Sequence, residues 1–324
     1  MKKLLFLLFF HAIIHSENIT VFSHGIIDDK TQCERFQKAI TTPILASNFA
    51  DALKPSDFNF NKALYSLCSY FGKKVNRNAM FMGQKDDIEV IKRTINLVET
   101  NKNIILYGCS RGAATLVTYL GLHNPENITA LILDACPSNI PETIQMALAK
   151  AGINPNWAET IFSYLFPQYD SKTAITPLQA IPTIKNKKLP ILLLHSLEDT
   201  KVHYTNSLKL YKAFIDNGFT NVHICLISKG AHSYLLQNDA SQGEYLQAVH
   251  SFYKKYGITY NQEFAQKDID NYSLDKNTVE NQIKDYEQDI IKTYQNSSSN
   301  NTYLLTSIAC LSILYWYFKQ ELLQ

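Results

Sequence analysis

From residue 19 onward, short apolar runs alternate with segments whose apolar positions recur every three or four residues. The runs at 19–23, 43–47, 103–107, 130–134, 190–195 and 222–227 are bounded by polar and turn residues and predict six strands. Between them, 86–100 carries Ile88, Ile91, Ile95 and Val98 at helical spacing, with acids at its start where the helix dipole favours them. The same spacing predicts helices over 110–123, 206–217 with Gly218 as its cap, and 243–256. Strands alternating with helices imply an α/β class, with a mostly parallel sheet covered on both faces.

The stretch 137–188 breaks this rhythm. It holds several prolines and two helix-like pieces, 141–151 and 155–166, and an insertion of that length in a compact domain is usually a lid or a binding element. Trp157, Phe162, Tyr164 and Phe166 are candidates to line an apolar pocket, although aromatics at helical spacing also serve simply as packing.

Both ends of the chain are apolar in a different way. Lys2 and Lys3 precede an apolar run from Leu4 to Ile14, then Ser16 and Glu17, the order of a secretory signal peptide; residues 1–16 are read as that or as a short uncleaved anchor. Residues 303–318 contain no charge, and sixteen helical residues cover about 24 Å, somewhat short of the ~30 Å hydrocarbon core. Tyr315, Trp316, Tyr317 and the following Lys319 resemble an interfacial belt and a stop signal, so a single C-terminal transmembrane helix is expected, the alternative being an amphipathic helix packed on the domain. The polar stretch 259–302 joins domain to anchor; Val279, Ile283, Tyr286, Ile290 and Tyr294 predict one amphipathic helix within it. The expectation is an exported domain tethered to a membrane.

Composition narrows the function class. Of 324 residues, 46% are hydrophobic and 19% charged, and 31 basic against 29 acidic residues give a net charge of +2. A disordered chain, a collagen and a strongly basic nucleic-acid binder are thereby excluded. Residues 17–258, roughly 240 in number, are an ordinary size for one α/β domain. The six cysteines, Cys33, Cys68, Cys109, Cys136, Cys225 and Cys310, show neither a C-x-x-C pair nor zinc-ligand spacing, so most are read as small buried hydrophobes. A Cys33–Cys68 disulfide is compatible with export.

The sharpest chemical signal is the segment NIILYGCSRGAAT, 103–115. An apolar strand runs into Gly108-Cys109-Ser110-Arg111-Gly112 and a helix follows, which is G-x-S-x-G in the strand–turn–helix context of a nucleophile elbow. The glycines leave room for the tight turn, and the helix directs its N–H groups toward developing negative charge. A serine hydroxyl is a poor nucleophile at neutral pH, so the motif calls for a histidine base and an acid to orient it. Asp199 follows the strand PILLLHS and His232 follows VHICLISKG, in the expected chain order and both at the edge where Ser110 sits. Glu198 and Asp134 are rival acids, and His250, within a helical segment, is a weaker base candidate. Oxyanion donors are expected from the backbone N–H groups of Arg111 and of Ile26, the latter just after His24-Gly25 at the end of the first strand. Gly25 permits that turn.

Other chemistries lack their residues. No G-x-G-x-x-G loop, G-K-[ST] loop or H-E-x-x-H cluster occurs, so no cofactor and no metal is expected.

With these residues in place, the chain resembles the α/β-hydrolase superfamily over about residues 19–256. The similarity is carried by SHGI, YGCSRGAA, HSLEDTKVHYTNSLKLYKAF and KGAHSYLL, and the third of these, with Asp199, Val202, His203, Asn206, Ser207 and Leu210, resembles the catalytic domain of the prolyl oligopeptidase family. The resemblance implies a Ser110, Asp199, His232 triad, a substrate with an ester or amide carbonyl, and a shortened sheet of about six strands. The expected function is a membrane-tethered serine hydrolase acting on a small acyl ester or peptide. A peptidase, or an inactive hydrolase fold serving as a binding protein, are the other readings.

Overall fold

A computed structural model of the protein describes residues 17–26, 28–50, 79–150, 160, 162–163 and 166–260. The N-terminal segment 1–16, the linker beyond residue 260, the apolar stretch 303–318, most of the predicted helix 155–166 with Trp157 and Tyr164, and Cys68 and Cys310 lie outside the described residues. Among the described residues, no helix is long and apolar enough to cross a membrane.

Among the described residues, six strands form a single sheet in the order β2-β1-β3-β4-β5-β6: β1 Asn18–Ser23, β2 Ile44–Ala46, β3 Asn103–Cys109, β4 Ile128–Asp134, β5 Ile191–Ser196 and β6 Val222–Ile227. Every neighbouring pair is parallel. Parallel strands buried on both faces need apolar side chains at successive positions, which is why β3 and β5 read as nearly unbroken Ile and Leu. All six predicted strands are present, their ends within two residues of the expectation.

Among the described residues the α-helices are α1 Asp86–Asn96, α2 Arg111–His123, α3 Ile140–Lys150, α4 Pro177–Ala180, α5 Thr205–Asp216 and α6 Asp239–Lys255, and a 3₁₀ segment lies at Lys30–Phe36. The two-residue period of the strands divides the core in two. Val21, Leu106, Leu131 and Leu193 pack with Ile91 of α1, Leu116 of α2 and Phe214 of α5. Their neighbours Phe22, Ile105, Ile132 and Leu192 pack on the opposite face with Phe36 of the 3₁₀ segment and Tyr245, Val249 and Phe252 of α6.

Local signals explain the helix ends. Gly218, at φ +83, ends α5: Gly218 N–H donates to Ile215 O, Phe219 N–H to Phe214 O, and the two phenyl rings meet at 5.0 Å. Helix α6 begins four residues before the predicted start because the Asn238 side chain accepts from Ala240 N–H and caps it. Within 137–188, the part around α4 packs against α2. Thr183 Oγ1 donates to Gly121 O, and a Cβ on Gly121 would stand 2.6 Å from Ala180 O. Phe162 and Phe166 are buried, with their rings tilted against each other at 5.0 Å and Phe162 edge-on to Tyr169 at 4.9 Å, so these two aromatics pack within the core.

Candidate active site

Because all the strands run the same way, their carboxyl ends share one edge. Ser23 lies opposite Gly108, Cys109 opposite Asp134, and Ser196 opposite Ile227. The loops leaving β1, β3, β5 and β6 therefore emerge side by side, the usual place for a site in an open parallel sheet.

Ser110 occupies the turn between β3 and α2 at φ 52, ψ −119, a conformation uncommon for a side chain with a Cβ. Three contacts enforce it. Its N–H donates to Asp134 O at 2.8 Å. A Cβ on Gly108 would lie 2.6 Å from Ala113 Cα, and one on Gly112 would lie 2.2 Å from Ser23 O. Only glycine at these two positions lets α2 fold back on β3 and press against the end of β1. The strain is held where it turns the hydroxyl out of the sheet edge.

His232 and Asp199 arrive from the neighbouring loops. Ser110 Oγ–H donates to His232 Nε2 at 2.9 Å, and His232 Nδ1–H donates to Asp199 Oδ2 at 2.6 Å. An ionised carboxylate only accepts, which fixes the proton on Nδ1 and leaves Nε2 as the acceptor facing the serine. Asp199 is itself well held: Oδ1 accepts the N–H groups of Lys201 and Val202 at 2.9 and 3.0 Å. Burial alone would raise its pKa, but the His232 charge and hydrogen bonds from His195 and His232 outweigh that and hold the carboxyl far below its ordinary range. Behind it, His195 Nε2 lies 2.7 Å from Val202 O and 3.3 Å from Asp199 Oδ2, while Ser207 Oγ–H donates to its Nδ1 at 2.7 Å. The carbonyl fixes this second histidine with its proton on Nε2, so a fully buried imidazole N–H also faces the carboxylate.

The rival acids are used elsewhere. Glu198 Oε2 accepts Gly230 N–H at 3.2 Å and so ties the loop before His232. Asp134 Oδ2 accepts from Tyr245 Oη at 2.9 Å, and Tyr245 Oη is 2.5 Å from Tyr107 Oη. Its Oδ1 has no hydrogen-bond partner, and burial pushes this carboxyl up to about 6 despite the Tyr245 bond. His250 is fully buried in α6, stacked on Tyr260. Of these three, Asp134 alone bonds to Ser110, and it does so through its backbone carbonyl, while the Ser110 hydroxyl is bonded to His232.

On the other side of the serine lies the His24-Gly25-Ile26 loop. A Cβ on Gly25 would stand 3.6 Å from Ser110 Cβ, so the backbone passes directly beside Ser110. Gly25 N–H donates to Gln32 Oε1 at 2.7 Å, and His24 Nδ1–H donates to Gly25 O at 2.7 Å. Arg111 opens α2, and N–H groups in a first helical turn have no intrahelical acceptor. The arrangement can move a proton from a hydroxyl to an imidazole and places a helix N-terminus beside Ser110 Oγ.

Several residues here escaped the sequence reading. Asp87, one of the acids in the first turn of α1 as expected, also forms a bidentate pair with the Arg111 side chain. Gln32 lies in no motif, and His195 and Ser207, although within the segment HSLEDTKVHYTNSLKLYKAF, were assigned no role by it. Cys109 Sγ–H donates to Ser233 Oγ at 3.0 Å, joining the residue before Ser110 to the residue after His232. Cys33, Cys109 and Cys136 stand outside any disulfide. Among the described residues, no group of three His, Cys, Asp or Glu could hold a metal ion.

Comparison with known proteins bears on this geometry. No curated protein matches the chain. Among solved structures, an acylaminoacyl peptidase from Pyrococcus horikoshii superposes with a TM-score of 0.52 at 17% identity, over 78% of this chain and 39% of that one. An esterase from Pyrococcus furiosus superposes with a TM-score of 0.51 at 16% identity, over 75% of this chain and 83% of that one. The chain thus spans about two fifths of the peptidase and most of the esterase, and both share its fold. The sequence profile of the prolyl oligopeptidase family matches residues 71–258, a stretch that includes the elbow and both loops that meet it, and with more than half of its length matched the chain belongs to that family.

Proposed function

We propose that the chain is a serine hydrolase that cleaves an ester or amide carbonyl through an acyl-enzyme. The observation that carries this reading is the relay Ser110–His232–Asp199, with contacts of 2.9 and 2.6 Å and a single consistent tautomer. Ser110 Oγ attacks the carbonyl carbon while its proton passes to His232 Nε2, and the carbonyl electron pair moves onto oxygen. The backbone N–H groups of Arg111 and Ile26 receive that oxyanion. Gly25 passing beside Ser110 supports the Ile26 assignment, since its own N–H is taken by Gln32. Collapse expels the leaving group with the proton from His232, and water then resolves the acyl-enzyme by the same route. Asp199 keeps the imidazole in register and offsets its positive charge.

The substrate is an acyl ester or a short N-acyl peptide. Stopped-flow mixing with p-nitrophenyl butyrate and with an N-acetyl-aminoacyl p-nitroanilide tests the reaction and separates the two. A burst of about one p-nitrophenolate per chain, absent from Ser110→Ala, is expected. Faster turnover of the anilide would assign the chain to peptide bonds. Its catalytic domain is outside the cytoplasm, held by 303–318 to a membrane, a reading supported by the charge-free run, its aromatic end and Lys319. Retention of the expressed chain in membranes after carbonate washing, and its release on truncation at residue 300, is the expected result.

A further inference from the structure

A charged side chain directly after the nucleophile is expected to point into water, yet Arg111 is 2% exposed and Asp87 1%. Arg111 Nε donates to Asp87 Oδ2 at 2.9 Å and Nη2 to Asp87 Oδ1 at 2.7 Å. Asp87 Oδ2 also accepts Gly83 N–H at 2.6 Å, in a turn where Met82, Gly83 and Lys85 all have positive φ. A cation beside a helix N-terminus opposes the dipole, so the sequence sets an unfavourable charge at the mouth of α2 and neutralises it with a partner from α1. Such an arrangement contributes little to stability relative to an apolar pair of the same size; what it does supply is a fixed position.

The other face of the guanidinium shows what is being positioned. Its carbon lies 4.6 Å from the centre of the Phe49 ring, and the same ring lies 4.6 Å from the imidazole of His24. Phe49 N–H donates to His24 Nε2 at 3.1 Å, and His24 Nδ1–H donates to Gly25 O. A continuous chain of contacts therefore runs from α1 through Asp87, Arg111, Phe49 and His24 to the Gly25 carbonyl. It links the residue after Ser110 to the peptide that carries the Ile26 N–H.

We propose that Asp87, Arg111 through its side chain, Phe49 and His24 form a brace that sets the separation of the two oxyanion donors. They are positioning residues, and the idea rests on the hydrolase reading above. The His232–Asp199 relay approaches Ser110 from the β5 and β6 loops and shares none of these contacts. Loosening the brace therefore weakens stabilisation of the tetrahedral state without altering the base.

The test uses the full chain in detergent and compares the parent with Phe49→Leu, Phe49→Tyr and the double variant Asp87→Asn, Arg111→Met. The double variant removes both charges together and keeps an acceptor for Gly83 N–H, which avoids stranding a buried charge. Should it nonetheless fail to fold, the Phe49 pair decides. For each folded variant, kcat, KM and the pH profile are measured with p-nitrophenyl butyrate, and Ki with octyl trifluoromethyl ketone. That ketone adds the Ser110 oxygen at its carbonyl carbon, passes the serine proton to His232 and places an oxyanion between the donors.

Expected is a ten- to hundred-fold fall in kcat for Phe49→Leu and the double variant, with KM within three-fold and the midpoint of the pH profile unmoved. Ki for the ketone rises by the same factor as kcat falls, and Phe49→Tyr stays near the parent. A folded double variant or Phe49→Leu with kcat within two-fold of the parent overturns the brace, as does a loss that shifts the pH midpoint or leaves Ki unchanged. A folded parent that neither turns over the ester nor binds the ketone overturns the hydrolase reading instead.

Discussion

Replacing Asp199 by Asn is the substitution whose consequence is set most tightly by the structure. The carboxylate uses both oxygens: Oδ1 accepts two backbone N–H groups, and Oδ2 faces the N–H of His232 at 2.6 Å and of His195 at 3.3 Å. An amide offers one oxygen. If that oxygen stays with Lys201 and Val202, the NH₂ group faces His232 Nδ1, which must give up its proton and become the acceptor. His232 then carries its proton on Nε2, pointed at Ser110 Oγ, and no base remains. If the amide is reversed, its NH₂ opposes two backbone N–H groups. The first arrangement costs less, and it also removes the negative charge that offsets the imidazolium in the transition state. A wrong tautomer of this kind lowers kcat by about three to four decades, or about 4 to 5.5 kcal/mol of barrier at 1.36 kcal/mol per decade. The assay is kcat/KM for p-nitrophenyl butyrate, with circular dichroism and thermal melting to verify the fold. Glu198→Gln and Asp134→Asn, whose carboxylates bond to Gly230 and Tyr245, should stay within about three-fold of the parent. A loss of less than ten-fold in Asp199→Asn, or an equal loss in Glu198→Gln, would refute the assignment of the acid.

The remaining expectations concern stability as well as rate. Gly112→Ala brings a methyl to 2.2 Å of Ser23 O, a backbone atom that cannot step aside, so the variant should lose at least 1–3 kcal/mol together with its ester activity, read by melting and turnover. Gly218→Ala is its contrast: nothing lies within 4 Å of the added carbon and only the positive φ is strained, which predicts a cost of about 1–2 kcal/mol and unchanged kcat. Asp134 titrates at about 6 in the folded chain against roughly 3.9 unfolded, so the folded state binds more protons between about pH 4 and 6 and stability falls as pH rises through that window. Asp134→Asn removes this loss, worth about 3 kcal/mol at 1.36 kcal/mol per pKa unit. Its gain over the parent in urea melts should be full above pH 7 and vanish near pH 4; a gain that does not vary with pH would contradict the assignment.

How much of this was legible in the sequence follows from the kind of signal each part carries. The strands were legible because burial on both faces demands unbroken apolar runs, and the elbow because Gly108 and Gly112 are the only residues that fit against Ala113 and Ser23. The chain order of Ser110, Asp199 and His232 follows from strand ends that all lie on one edge. The pairings across that edge were less accessible. Asp134 and Glu198 are acids at comparable sequence positions, and only register and loop path turn one toward Tyr245 and the other toward Gly230. The Asp87–Arg111 pair joins residues 24 apart in two helices whose pattern predicted each separately. An acid in a first turn has an ordinary explanation in the dipole, so nothing marked it as the partner of a buried arginine. Asn238 likewise starts α6 through a side-chain cap that preceded the apolar periodicity.

Labelling of the full chain with a fluorophosphonate probe, followed by mass mapping of the modified peptide, reads the reactivity of Ser110 itself. One modification per chain is expected, on Ser110, lost in Ser110→Ala and reduced at least a thousand-fold in rate in His232→Ala. A folded parent that takes no label, or takes it at another residue while Ser110→Ala labels as fast as the parent, would contradict the hydrolase reading.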